Sequence, residues 1–410
     1  MRSTSRKVLL ALTTVVAIIG LGLSLPVSWN AANSIIGKLS RSGAQTVPIA
    51  HADLSGTGPG SLISAVTMPD LAGTVEGMQQ QSARVTYRST SGDDGSGTVV
   101  SGAVFVPLGP PPPDGWPIVA FGHGTLGIDE PCAPSLSGTL MGTAGIVAGL
   151  TGKGFAVAMP DYEGLGAPGV HPYLDARTAG LNMIDAVRAL GHTFKNVSKR
   201  WAALGHSQGG GAAWAADEQA RAYAPELDLV GAVALAPAAD VSGFIDKVTA
   251  GTLTADQRLA FTLIVESLAR RFTDVNRDDY RRGAVAQSWD VLTACAGPLV
   301  DQRPAASARL APTDIKPATA DAAARLRDPL ARWALPQEPL TAPMYVVYGT
   351  DDTLIDAQWT TDAIARACAR GGTVQWDLQP GRGHGDIDFG EALTWIVERF
   401  AGAPVSNECP

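Results

Sequence analysis

A mixed α/β fold, with a mostly parallel central sheet, helices on both faces and an inserted helical cap, is predicted by three observations. Short apolar runs recur between helix-length segments, at residues 118–121, 155–159, 202–204, 229–235 and 344–348. These runs are apolar throughout rather than alternating, as strands covered on both faces are. The interval from about 240 to 333 carries no strand-like run, while residues 255–272 and 320–327 read as helices. An insertion of that size between two strands of one sheet reads as a cap rather than a separate domain, because the flanking strands need each other.

Taken in order, the chain opens with Arg2, Arg6 and Lys7, followed by an uncharged run over residues 8–25. At about 18 residues the run lies above the usual signal-peptide core and at the lower limit for crossing a bilayer. Either reading means export, with the basic flank left in the cytoplasm. The expected organisation is a signal peptide or N-terminal membrane anchor over 1–35 and a leader segment over 36–80. The first part of the α/β core then covers 81–239, the cap 240–335 and the C-terminal part of the core 336–410. Residues 83–87 and 98–105 are β-rich and flank Ser91-Gly92-Asp93-Asp94-Gly95, which predicts an antiparallel hairpin. A proline-rich stretch over 107–113 is a stiff connector. Residues 374–378 alternate apolar and polar, as a strand near the sheet edge would.

Composition bounds the function. With 45% hydrophobic and 17% charged residues in 410, the chain can bury a large core. A net charge of −8 argues against a protein built to hold DNA or RNA. The four cysteines, Cys132, Cys295, Cys368 and Cys409, are widely spaced and include no Cys-x-x-Cys pair. In an exported chain they suggest two disulfides rather than a metal site, and spacing alone leaves all three pairings open.

The pentapeptide Gly205-His206-Ser207-Gln208-Gly209 follows the apolar run ending at Leu204 and precedes an alanine-rich, helix-like stretch over 211–224. Strand, sharp turn and helix form the context in which a serine hydroxyl is exposed as a nucleophile, and the flanking glycines let the turn close. A serine so used needs a base and an acid, which in α/β-hydrolases follow it in the order Ser, Asp or Glu, His. Of six histidines only His384 lies after Ser207, on the glycine-rich loop Gly381-Arg382-Gly383-His384-Gly385. The acid is expected where the run 344–348 ends, and spacing from Gly349 favours Asp352, with Asp351 and then Asp356 as alternatives. Backbone donors for an oxyanion are expected at Gln208 and, in Phe121-Gly122-His123-Gly124-Thr125, at Gly124 or Thr125. His123 reads as a loop-packing residue.

Two matches carry little. Gly164-Leu165-Gly166-Ala167-Pro168-Gly169 has the spacing of a dinucleotide-binding turn, but Pro168 interrupts the helix entry such a site requires, so it reads as a loop near the site. The sequon Asn196-Val197-Ser198 has meaning only in a glycosylating host.

Cys132-Ala133-Pro134-Ser135, Asp161-Tyr162-Glu163-Gly164, Gly205-His206-Ser207-Gln208-Gly209-Gly210 and Tyr223-Ala224-Pro225-Glu226-Leu227 together resemble the secretory lipase family of α/β-hydrolases, from about residue 68 to the C-terminus. The resemblance implies an exported serine esterase or lipase acting on lipid or triacylglycerol esters. It implies a triad of Ser207, Asp352 and His384, a helical cap of the kind that gates apolar substrates, and no metal or organic cofactor. It also implies pairing Cys132 with Cys295 and Cys368 with Cys409. Where some relatives carry an acidic residue in the oxyanion loop this chain has Gly124, and where they often have a proline after the acid it has Asp356. The expected partner is a small-molecule or lipid ester, with contact to a lipid interface allowed and no nucleic acid or obligate protein partner. An acyltransferase with the same triad and a non-catalytic, envelope-attached binding protein are the alternatives.

Overall fold

The computed structural model describes residues 45–410. The expected signal or anchor over 1–35 therefore lies outside the described residues. Among the described residues, no helix is long and apolar enough to cross a membrane.

Residues 45–410 contain a sheet of nine strands in the order β1-β2-β3-β5-β4-β6-β7-β8-β9. The strands are β1 (Leu62–Thr67), β2 (Gln80–Thr90), β3 (Gly97–Pro107), β4 (Trp116–Gly122), β5 (Ala156–Pro160), β6 (Val197–His206), β7 (Asp228–Leu235), β8 (Met344–Gly349) and β9 (Val374–Gln379). β2 and β3 form the expected antiparallel hairpin, β3 is also antiparallel to β5, and from β5 to β9 the sheet is parallel throughout. β9 is an edge strand, as its alternation predicts, and β1 forms the other edge. Residues 62–67 correct the sequence expectation: read as part of a leader over 36–80, they form β1 and pair antiparallel with β2. Leu62-Ile63-Ser64-Ala65-Val66-Thr67 is interrupted by Ser64 and ends on Thr67, so it does not stand out in the sequence, and its strand state depends on the waiting edge of β2.

Apolar runs without alternation follow from the two-sided burial of this sheet. Along β6, Trp201 and Ala203 pack into one cluster while Ala202 and Leu204 pack into the other. The first cluster is covered by α2 (Ala176–Thr193) and α3 (Gln208–Tyr223), through residues such as Met183, Ile184, Ala212 and Trp214. The second is covered by α1 (Ala144–Gly152) and by the C-terminal helix Gly390–Phe400, through Val147, Leu150, Trp395 and Ile396. Burying side chains of this size on both faces contributes roughly 1.5–3 kcal/mol for each large one.

Between β7 and β8 the chain is helical. It includes α4 (Phe244–Ala250), α5 (Ala255–Arg271) and α6 (Ala320–Trp333), joined by shorter helical turns around a third apolar cluster. Helix α5 starts at a capping box in which Thr254 accepts from the Gln257 amide and Gln257 returns the bond to the Thr254 amide, at 3.1 Å each. Its buried side contributes Phe261, Ile264 and Val265 to the cluster.

Cys132 is joined to Cys295 and Cys368 to Cys409, with Cα–Cα separations of 5.6 and 5.2 Å. This is the pairing the family resemblance implies. The first bridge ties the loop after β4 to the insertion across 163 residues, and the second pins the C-terminal tail across 41. Loop entropy alone assigns about 5 kcal/mol to the longer bridge and about 4 kcal/mol to the shorter. Paired serine substitution at Cys132 and Cys295 is therefore expected to lower the denaturant midpoint more than substitution at Cys368 and Cys409. Equal or reversed shifts in urea unfolding would show that native-state strain, not chain entropy, governs these bridges.

Candidate active site

Ser207 lies between the end of β6 and the start of α3, with φ 58° and ψ −117°. A non-glycine residue rarely adopts this backbone, which costs on the order of 1–3 kcal/mol and persists only where neighbours enforce it. Here they do. The Ser207 amide donates to the Leu235 carbonyl at 2.8 Å, while its own carbonyl accepts from the Gly211 and Ala238 amides at 3.1 and 3.0 Å. A Cβ on Gly205 would overlap the Gly209 carbonyl, and one on Gly209 would overlap the Gly122 carbonyl. The glycines of the pentapeptide thus allow strand, turn and helix to approach more closely than any side chain permits.

His384 lies on the loop after β9. That loop is held to the end of β8 by the Asp351 amide, which donates to the Arg382 carbonyl at 2.9 Å. The Ser207 hydroxyl donates to His384 Nε2 at 2.8 Å, and His384 Nδ1–H donates to Asp352 Oδ2 at 2.7 Å. The second Asp352 oxygen accepts from the Leu354 and Ile355 amides at 2.8 and 2.9 Å. These three bonds, two from backbone amides and one from the imidazole, hold the Asp352 carboxylate aimed at the ring. The alternatives are engaged elsewhere. Asp351 is exposed and accepts from the Thr350 hydroxyl, whereas Asp356 takes both contacts of the Lys247 ammonium at 2.9 and 2.8 Å.

The oxyanion candidates border the same serine. Gln208 opens α3, so its backbone N–H belongs to the first turn, whose donors have no partner within the helix. A Cβ built on Gly124 would lie 3.7 Å from Ser207 Cβ, which puts the loop after β4 directly against Ser207. Thr125 follows, its hydroxyl 2.9 Å from the Tyr173 hydroxyl. His123 is buried and donates from Nδ1 to the Gly124 carbonyl at 2.7 Å, shaping the loop from within. Burial pulls its pKa down, so the ring packs as a neutral group.

The glycine-rich segment 164–169 is a loop in which Gly164, Gly166 and Gly169 all have positive φ, and it leads into His171 and Tyr173 beside the site. Two histidines without an assigned role touch the constellation. His206 Nε2–H donates to the His384 carbonyl at 2.8 Å, with the two rings 5.0 Å apart. Burial and the adjacent His384 ring pull its pKa to about 4, so this bond survives unchanged through neutral pH. His171 contacts the Gln208 side chain. The place of His206 inside the pentapeptide is a sequence signal that was available, and His171 follows the glycine-rich segment 164–169 by two residues, whereas the insertion residues lie tens of positions from any motif.

Fold and side-chain arrangement together define the class: an α/β-hydrolase fold carrying a Ser-His-Asp constellation at a strand-to-helix elbow. Comparison with known proteins agrees in fold and gives the family. The profile of the family described as secretory lipase matches residues 136–408, and the chain belongs to that family. It is 27% identical over 279 residues to a Mycobacterium tuberculosis protein named as a probable inactive lipase, covering 64% of this chain and 59% of that one. It is 36% identical over 109 residues to Lipase 7 of Candida albicans, covering 26% of this chain and 24% of that one. The chain thus spans less than two thirds of either relative's length. Among solved structures, Candida antarctica lipase A in its closed state superposes with a TM-score of 0.66 at 19% identity, over 88% of this chain and 87% of that one. The rice cell wall degrading esterase LipA from Xanthomonas oryzae superposes with a TM-score of 0.65 at 19% identity, over 83% and 98%. These superpositions concern the fold.

Proposed function

We propose that this protein is an exported serine hydrolase that cleaves carboxylic esters of lipid type through Ser207, His384 and Asp352. The observation that carries the reading is the continuous hydrogen-bond line from the Ser207 hydroxyl through His384 to Asp352, at 2.8 and 2.7 Å, on a strained elbow. Ser207 Oγ attacks the ester carbonyl while His384 Nε2 takes its proton. Asp352 holds the Nδ1–H tautomer and stabilises the imidazolium that forms. The carbonyl oxygen becomes an oxyanion facing the Gln208 amide and the loop at Gly124 and Thr125, where each donor is worth about 2.7–4 kcal/mol in the transition state. Collapse expels the alcohol, which receives the proton from His384. Water then repeats the sequence on the acyl-enzyme and frees the acid.

Two disulfides support an extracytoplasmic setting, since such bridges persist in oxidising compartments. One relative is named inactive, whereas in this chain the three side chains are present and in hydrogen-bond contact. Purified full-length protein should hydrolyse p-nitrophenyl esters from acetate to palmitate and an emulsified triacylglycerol. Activity across long chains marks a lipase, activity confined to short chains a carboxylesterase. Ester formation with an added alcohol in place of hydrolysis would replace the reading by acyl transfer, and no serine-dependent turnover of any ester would end it.

A further inference from the structure

The inserted helix α5 is tied to the candidate site at both ends. At its start the Thr254 hydroxyl donates to the Thr353 carbonyl at 2.6 Å, and the fully buried Gln257 donates from Nε2 to the Leu354 carbonyl at 3.1 Å and to Asp356 Oδ1 at 2.8 Å. These are the residues immediately after Asp352. Thirteen residues on, about 20 Å along the helix axis, Ser267 is 1% exposed. Its hydroxyl donates to the His171 carbonyl at 2.6 Å and accepts from the Tyr173 amide at 3.0 Å.

The segment so gripped reaches both sides of the oxyanion position. His171 Nδ1–H donates to the Glu163 carbonyl at 2.8 Å, which leaves Nε2 as an acceptor for the Gln208 side-chain amide at 2.9 Å. Burial holds the His171 pKa at about 4, so the acceptor persists at neutral pH. The opposite orientation of the Gln208 amide would set its oxygen against that lone pair, so the bond also fixes which way the amide points. Gln208 Oε1 is buried without a partner, and the contact with His171 is its one side-chain anchor among the described residues. Two residues later the Tyr173 hydroxyl meets Thr125 Oγ1 at 2.9 Å. One buried serine on the insertion therefore organises contacts to Gln208 on one side of Ser207 and Thr125 on the other.

We propose that Ser267, through His171 and Tyr173, is a positioning residue for the oxyanion donors, which makes α5 a fixed brace of the site rather than a lid that swings away. The proposal rests on the ester-hydrolase reading above and extends it to a residue that touches no reacting atom. Gln208 and Thr125 need not move far for the effect to be large, since a misplacement of about 1 Å can cost about 100-fold. A donor that drifts also weakens the transition state more than the bound ester, because the charge exists only in the transition state.

The test uses full-length wild type, Ser267→Ala, Tyr173→Phe and Ser207→Ala with soluble p-nitrophenyl butyrate, at a temperature where circular dichroism shows every variant folded. Ser267→Ala is expected to lower kcat about 10- to 100-fold with KM within about twofold of wild type. Tyr173→Phe, which removes one hydroxyl and retains the ring, should lower kcat by a smaller factor with the same KM. The inhibition constant of an alkyl trifluoromethyl ketone, whose carbonyl oxygen becomes an oxyanion when Ser207 Oγ adds and His384 takes the proton, should rise in parallel with the fall in kcat/KM. Unchanged kcat in Ser267→Ala alongside an active wild type overturns the brace and leaves the hydrolase reading standing, as does a rise in KM alone. Should Ser267→Ala not fold, Tyr173→Phe decides by the same kcat and inhibitor criteria. Absence of Ser207-dependent hydrolysis in the wild type removes both readings together.

Discussion

Replacing Ser207 with alanine is expected to lower kcat for ester hydrolysis by on the order of 10⁶-fold while leaving the fold intact. The substitution deletes only Oγ, the atom hydrogen-bonded to His384 Nε2 at 2.8 Å. It retains the Cβ, so the strain at φ 58° is the same in the variant and its enforcing backbone bonds to Leu235, Gly211 and Ala238 are untouched. The thermal midpoint should therefore stay near that of wild type. Some acceleration over water is expected to remain, since oxyanion donors and substrate binding are still present. A variant that hydrolyses p-nitrophenyl esters at close to the wild-type rate would place the chemistry elsewhere.

Asp352→Asn is the second large effect, with kcat lower by about 10⁴-fold. An amide can present its NH₂ to His384 Nδ1 and stabilise the tautomer that carries its proton on Nε2, where the serine hydroxyl must be received. The neutral amide also gives little support to the imidazolium formed in the transition state. The neighbouring carboxylates act as internal controls. Asp351→Asn, at an exposed position, should leave kcat within a few-fold of wild type. Asp356→Asn should act mainly on stability, because it leaves Lys247 and Gln257 with a weaker partner at the edge of the insertion. Steady-state kinetics of the three variants separates these cases, and a 10⁴-fold loss in Asp351→Asn with little in Asp352→Asn would reverse the assignment of the acid.

The choice among the three aspartates shows where reading along the chain reaches its end. Spacing from Gly349 favoured Asp352, but adjacent carboxylates in an extended turn differ in direction, and direction is not a property of spacing. In the folded chain the amides of Leu354 and Ile355 turn back onto Asp352, while Lys247 draws Asp356 away. Lys247 comes from a helix more than a hundred positions earlier, so no local pattern foretells its effect. Ser207 was more legible because the strain it requires is local. An elbow that must place a side chain at positive φ between a buried strand and a helix needs glycines two positions either side, and such a requirement leaves a visible motif.

The sheet was legible for a related reason. Burial on both faces demands continuous apolar runs, and runs of three to seven residues recurring between helix-length segments are detectable without knowing their partners. β1 escaped because it lies at an edge, where partial exposure permits the polar residues that break such a run. Cysteine pairing was undetermined by spacing, since the closure entropy of a loop changes only slowly with its length.

What the sequence by itself determined, then, is the α/β architecture, the elbow at Ser207, His384 as the base candidate and the helical character of the insertion. Each is encoded by periodicity, by local steric need, or by chain order. Only the tertiary structure decided which aspartate faces the imidazole, that His206 holds the His384 backbone, and that Ser267 reaches His171 and Tyr173. These contacts join residues up to 178 positions apart. Their existence depends on the directions in which separate elements pack, and hydrogen bonds of 2.6–3.0 Å leave no periodic trace in the segments they connect.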